Sequence, residues 1–260
     1  MQAPRICVLG LREGDDPLPF VFALIRSWET EGISAAVCLI GSDRDAPGHR
    51  GQARLVEASG HAVHRIDVDL MPVPSIQRVV ERAGTEVDVV VVIGFEPAAA
   101  RALRMPAFVD VQHALGAPLV LCADALERPE LRPPSTIASA VQDAVALLDE
   151  RGFAEPPLLL LRDESGRQRE TSISAATGVT ALALSPPHPD DQVDACAGEG
   201  PWRARADVLV TVLDHARASA AERPLLVPRP HAAGDESGDR RARRARIGVA
   251  LDECFDLYDE

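Results

Sequence analysis

The sequence predicts an α/β fold, a doubly wound and mostly parallel sheet with helices on both faces. Two patterns carry this expectation. Short Val/Leu/Ile runs alternate with longer amphipathic stretches along the 260 residues, the rhythm of strand–helix–strand units. The runs are also nearly continuous, as strands covered on both faces require. Hydrophobic residues make up 46% of the chain and aromatics only 3%, so Val, Leu, Ile and Ala must build the core.

Taken in order, Arg5–Leu11 (RICVLGL) reads as a strand and Leu18–Glu31 as a helix closed by Gly32. Ser34–Ile40 is a second strand and His61–Asp67 a weaker one. Pro74–Ala83 is a helix with Ser75 near its start. Val87–Ile93 is β-branched, almost unbroken and bounded by polar residues, the strongest strand signal in the chain. Ala117–Ala123 is a further buried strand. Ser135–Arg151 is a helix with Ser135 able to cap it, apolar residues at Ile137, Val141, Val145 and Leu148, and Gly152 to end it. Leu158–Leu161 and Val179–Leu184 are strands, and Arg203–Ala221 is a helix.

Two stretches break the rhythm. Ser185–Pro201 is rich in Pro, Asp and Gly and reads as a loop. Pro228–Arg244 has a linker's composition and closes on Arg240, Arg241, Arg243 and Arg244, a cluster that could contact a phosphate or an acidic partner but reads first as a solvated hinge. Arg246–Leu251 then reads as a new strand. The expected organisation is a domain over 1–227, a linker over 228–245, and a remnant or start of another domain over 246–260. No internal repeats are present.

The net charge of −13 makes nucleic acid and anionic membranes poor partners, because an acidic surface repels phosphate. Cys7, Cys38, Cys122, Cys196 and Cys254 form no C-x-x-C pair, and three lie in strand-like runs, so they read as buried reduced thiols. No signal-peptide pattern opens the chain, and the longest apolar run is too short to span a bilayer. A cytoplasmic location is expected. The chain contains no Lys and no Asn; all 27 basic residues are Arg. A Lys required by phosphate chemistry should survive such a bias, because Arg does not replace it conservatively.

The first strand ends at Gly10 and the first helix begins near Leu18, with G-L-R-E-G-D-D-P-L-P over Gly10–Pro19 between them. A phosphate-binding loop would stand here, and it needs converging backbone N–H groups, a Lys for the β/γ-phosphates and a Ser/Thr for Mg²⁺. GSDRDAPGHR (Gly41–Arg50), VDVVVVIGF (Val87–Phe95), FVDVQHALGAPLVLCAD (Phe108–Asp124) and RIGVALDECFDLY (Arg246–Tyr258) follow in that order. Together these segments resemble the cobyrinate a,c-diamide synthase family. Its members carry an N-terminal dethiobiotin-synthetase-like P-loop NTPase domain, then a glutaminase domain, and amidate tetrapyrrole carboxylates with ATP, Mg²⁺ and glutamine. The resemblance covers most of Arg5–Asp124, loosely Pro157–Ala221, and the terminal strand and aromatic turn, which is its strongest piece. It implies a P-loop NTPase fold.

The family's chemistry-bearing positions do not carry over. Its P-loop Lys falls on Pro17 and its Mg²⁺-binding Thr on Leu18. Asp15 and Asp16 stand where small residues let the backbone approach phosphate. Two carboxylates facing a triphosphate would each cost about 4 kcal/mol at about 4 Å and an effective dielectric of about 20. The Walker-B-type Glu falls on Ile93, the Lys before the G-P-D motif on Leu39, and that motif's second Asp on Ala46, while Asp43, Pro47 and Gly48 remain. Asp88 and Gly94 are kept, and the fold alone could account for both. Gly10, Gly14 and Asp43 are therefore the candidate nucleotide-contacting residues, in a degenerate site. No catalytic or metal-binding residue is assigned. His61-x-x-His64, Asp15-Asp16 and Asp190-Asp191 lack the context of a ligand set, and Cys254 lacks a nucleophile's setting.

The resemblance thus implies a pseudoenzyme without cofactor, acting as an interaction, scaffold or tetrapyrrole-binding subunit. It would be a homodimer or pair with an intact homologue. The alternatives are an ATP- and Mg²⁺-dependent amidoligase half whose glutaminase lies on another chain, with Arg12 or Arg50 reaching nucleotide, or a truncated amidotransferase.

Overall fold

The computed structural model describes residues 3–12, 14–41, 63–67, 71–94, 108–127, 130–150, 152–153, 155–163, 167–185 and 202–221. The expected linker and terminal strand beyond residue 227 lie outside these, as do Asp43, Ala46, Arg50, His61, Asp190, Asp191 and Cys254. In chain order the elements are β1 (Arg5–Gly10), α1 (Leu18–Thr30), β2 (Ala35–Gly41), β3 (Val63–Asp67), α2 (Val73–Ala83) and β4 (Val89–Gly94). Then come α3 (Phe108–Leu115), β5 (Leu119–Asp124), β6 (Leu126–Glu127), β7 (Glu130–Leu131), α4 (Pro134–Glu150), β8 (Leu158–Arg162), α5 (Arg167–Thr177), β9 (Ala181–Leu184) and α6 (Ala206–Ala221).

Seven strands form one sheet in the order β3-β2-β4-β1-β5-β8-β9, and every pairing is parallel. β1 runs down the middle, with Ile6 opposite Val91 of β4 and Val8 opposite Val120 of β5. β6 and β7 make a separate two-stranded antiparallel ribbon.

Successive strand residues point to opposite faces, and each face has its own core. Ile6 and Val8 pack with Phe20, Leu24 and Trp28 of α1 and with Val208 and Val212 of α6. Cys7 and Leu9 belong to the other face, with Ile76 and Val80 of α2, Val111 and Leu115 of α3, Ile137 and Val141 of α4, and Ile173 of α5. This partition follows from a uniform crossover hand. The chain moves one way along the sheet from β1 to β2 through α1, and the other way from β3 onward through α2 to α5.

One boundary differs from the sequence expectation for a physical reason. α4 starts at Pro134, where a missing N–H costs nothing because first-turn donors have no intrahelical partner. Ser135 therefore lies inside the first turn instead of capping it. At the other end Gly152 adopts φ 81°, and its N–H and that of Phe153 return to Asp149 and Leu148 carbonyls, closing the helix as predicted. α3 and α5 are helices additional to those the sequence predicts.

Candidate functional site

Ligands of open α/β sheets sit beyond the carboxyl ends of strands, where neighbouring strands send the chain to opposite faces. In this sheet β1 leads to α1 on one face. Its neighbours β4 and β5 are followed by α3 and α4 on the other. The switch point is therefore the end of β1, and the loop from Gly10 to Pro17 stands on it.

The loop folds tightly on its own strand. A Cβ placed on Gly10 would lie 2.1 Å from the Asp15 carbonyl oxygen, so only glycine admits this path. Gly14 takes φ 91°, which a side chain would resist. The Asp15 N–H donates to the Arg12 carbonyl at 3.0 Å, and the Arg12 N–H donates back to Asp15 Oδ2 at 3.0 Å.

The Asp15 side chain has no solvent exposure. Its Oδ1 also accepts the Asp124 N–H at 3.2 Å, at the end of β5. Arg132, just before α4, donates Nη1 to Oδ1 at 3.0 Å and to Oδ2 at 3.2 Å. Burial nevertheless pushes the Asp15 pKa up, against the Asp124 N–H, the Arg132 charge and the Arg12 N–H. Asp16 turns outward instead. Its Oδ1 accepts the Leu18 N–H at 2.9 Å and so satisfies a first-turn donor of α1. The Asp16 residue is exposed, although crowding of its carboxyl by the loop still raises its pKa, opposed by the Leu18 N–H and the Arg162 charge.

The two acidic residues therefore do not face a common ligand, contrary to the expectation from sequence. A buried carboxylate is costly unless paired, and Asp15 takes the nearest guanidinium inward. The surroundings brace it. Arg12 Nη2 donates to the Thr136 carbonyl of α4 at 3.1 Å, and Arg169 Nη1 of α5 donates to the Arg132 carbonyl at 3.1 Å. Arg169 also pairs with fully buried Asp163 at 3.5 Å. At the mouth, Arg162 of β8 pairs with Asp124 and stands 5.9 Å over the ring of Trp202.

The remaining predicted positions resolve plainly. Gly10 and Gly14 shape the loop, through close approach and positive φ respectively. Leu39 and Ile93 are direct cross-strand partners, buried against the α1 side of the sheet. An apolar pair thus occupies the two strand positions onto which the Lys and Glu of the resembled family fall. Asp88 lies at the opposite end of the sheet, before β4. Its Oδ2 accepts the Ser34 N–H at 2.8 Å and the Ser34 hydroxyl at 2.7 Å, which gives it a structural role. Among the described residues no group of three or more His, Cys, Asp or Glu could hold a metal ion. Cys7, Cys38 and Cys122 are buried and form no disulfide, and burial pushes the Cys38 thiol up to about 12.

The Arg12 and Asp124 amides and the Arg132 guanidinium hold the Asp15 carboxylate, and the sequence contains no Lys.

No family model and no curated protein matches the sequence. Solved structures do. The chloroplast FtsY of Physcomitrella patens superposes with a TM-score of 0.52 at 13% identity, covering 83% of this chain and 65% of that one. The signal recognition particle receptor FtsY of Elizabethkingia anophelis, in complex with GDP, gives 0.50 at 14% identity over 83% of this chain and 64% of that one. The chain spans just under two thirds of their length. The fold is P-loop NTPase-like, a seven-stranded parallel sheet flanked by helices like that of these FtsY structures. At these identities the likeness speaks to fold alone.

Proposed function

We propose that this chain is a non-catalytic relative of P-loop NTPase domains, acting as an interaction, scaffold or ligand-binding subunit. The observation that supports the reading is the Asp15 carboxylate, held by the Arg12 and Asp124 amides and by Arg132 where an external phosphate would need those donors. The apolar Leu39–Ile93 pair supports it independently. Segment resemblance points further, to the synthetase domain of the cobyrinate a,c-diamide synthase family. On that basis the ligand would be a tetrapyrrole, and the partner an intact homologue or a second copy. No helix among the described residues is long and apolar enough to cross a membrane.

The test is melting temperature with and without millimolar Mg-ATP and Mg-GTP. A ligand that binds only the folded state at 100 times its Kd adds about 2.7 kcal/mol. That is a rise of roughly 5–10 °C for a domain of this size. The expected result is no rise and no nucleotide hydrolysis. A clear rise with either nucleotide would instead favour the amidoligase half-enzyme or another active NTPase.

A further inference from the structure

We infer that Glu170, braced by Arg205, acts with Ser174 as a strap that closes the β9 edge of the sheet against pairing with β9 of a second copy of this chain. The inference stands apart from the loop after β1. It rests on where the backbone donors of β9 go.

Among the described residues β9 ends the sheet, with β8 on its inner side. The Leu159 N–H donates to the Thr180 carbonyl at 2.9 Å, so by alternation Thr180, Leu182 and Leu184 turn their peptide groups towards β8. Ala181 and Ala183 turn theirs outward, as does Ser185 just past the strand. An outer edge of this kind is a template for another strand. Here each outward N–H has an acceptor already. Ala181 donates to Ser174 Oγ at 2.9 Å, Ala183 donates to Glu170 Oε1, and Ser185 donates to the Arg203 carbonyl at 2.8 Å. A strand added at this edge has to displace all three.

The match between α5 and β9 is one of spacing. Glu170 and Ser174 are four residues apart and share one face of the helix, about 6 Å apart along its axis. Their targets are two residues apart on the strand, about 6.8 Å. The order is reversed, the earlier helix residue meeting the later strand residue, as a helix returning antiparallel to its strand requires. Ala181 and Ala183 are buried with Ile173 of α5, and their single methyl groups let the helix come close.

Glu170 also reaches the opposite layer. Arg205, just before α6, donates Nη2 to the same Oε1 at 2.9 Å and is itself held by Asp207 at 3.0 and 3.1 Å. α5 packs on one face of the sheet and α6 on the other. Glu170 meets the outward side of Ala183, so the ion pair passes outside β9 and ties the two helical layers together across the edge. The Ala204 N–H, donating to Ser27 Oγ of α1 at 3.1 Å, anchors the segment that carries Arg205. A partner of the wild type therefore does not join by extending the sheet at β9.

The experiment opens the edge. Glu170→Ala/Ser174→Ala removes both side-chain acceptors. Residue-resolved amide exchange is measured at low micromolar concentration, with Leu182 as internal reference because its N–H faces β8. Exchange at Ala181 and Ala183 should accelerate at least about tenfold relative to Leu182. Light scattering should show the variant's mass rising above that of the wild type as concentration increases to hundreds of micromolar. Glu170→Gln keeps an acceptor for Ala183 and should keep the wild-type mass. If the double variant does not fold, Ser174→Ala and Arg205→Ala are read instead. The first should speed Ala181 and the second Ala183, each relative to Leu182. Equal acceleration of all three amides would mean that the helix only stabilises the domain, and it would overturn the strap. Unchanged exchange ratios, or a folded double variant that keeps the wild-type mass throughout, would overturn it as well.

Discussion

At the residue scale the molecule turns on two aspartates with opposite titration. Asp88, just before β4, accepts two hydrogen bonds from Ser34, and these lower its pKa. Asp15 is buried, and desolvation raises its pKa above the ordinary 3.8 despite Arg132. A carboxyl with a raised folded pKa binds its proton more tightly in the native state. Its contribution to stability is therefore fully present below the unfolded value and is lost as pH rises through the folded one. Asp15→Asn removes this titration while keeping the size of the side chain. The stability difference between wild type and Asp15→Asn should thus move in favour of the wild type as pH falls towards 3.8. Urea denaturation across that range measures it. A difference that moves the other way would mean that the Arg132 pairing outweighs burial. The sequence exposed the anomaly of Asp15 but not its solution. Arg132 is 117 residues away, and nothing in its surroundings, ERPELRPPS, has the spacing of a motif. Which carboxylate turns inward is decided by the tertiary fold.

At the element scale the loop between β1 and α1 depends on its two glycines in different ways, and substitution separates them. Gly10→Ala drives a methyl into the Asp15 carbonyl at 2.1 Å, so the loop must lift from the strand. Overpacking of this kind costs about 1–3 kcal/mol, and backbone as the obstacle puts it at the upper end. Gly14→Ala meets nothing within 4 Å but must hold φ near 91°, a cost of about 1 kcal/mol. Chemical denaturation should rank Gly10→Ala as the more damaging, and the reverse order would show that the loop is not packed as described. The strands were readable from sequence because double-sided burial leaves a continuous apolar run, as in Val89–Gly94, and composition alone reveals it. α5 was not readable. Its RQRETSISAAT sequence has no apolar stripe, and it docks through Ile173 and through buried Glu170, which accepts the Ala183 N–H and Arg205. α3 is too short for periodicity to stand out within FVDVQHAL.

At the scale of the whole molecule the sheet separates two cores that share strands but not side chains. α1 and α6 cover one face, and α2, α3, α4 and α5 cover the other. Ile25 of α1 is buried in the first and Ile76 of α2 in the second. Removing one methylene-sized group from each, as Ile25→Val and Ile76→Val, should cost about 0.5–1.5 kcal/mol apiece. Between them lies a layer of strands already fixed on both sides by parallel neighbours, so a small void on one face has little means of repacking the other. Sites separated in this way add within about 0.3–0.5 kcal/mol. The double variant should therefore lose the sum of the two single losses, in one cooperative unfolding transition common to both faces. Urea curves of the wild type, both singles and the double, read by fluorescence and by far-UV circular dichroism, test both parts. A double variant well short of the sum would mean that the faces relax into each other through the sheet. Two separated transitions would mean that the α1–α6 layer unfolds on its own, leaving the loop at Gly10 tied to a face that opens independently of β5 and Arg132.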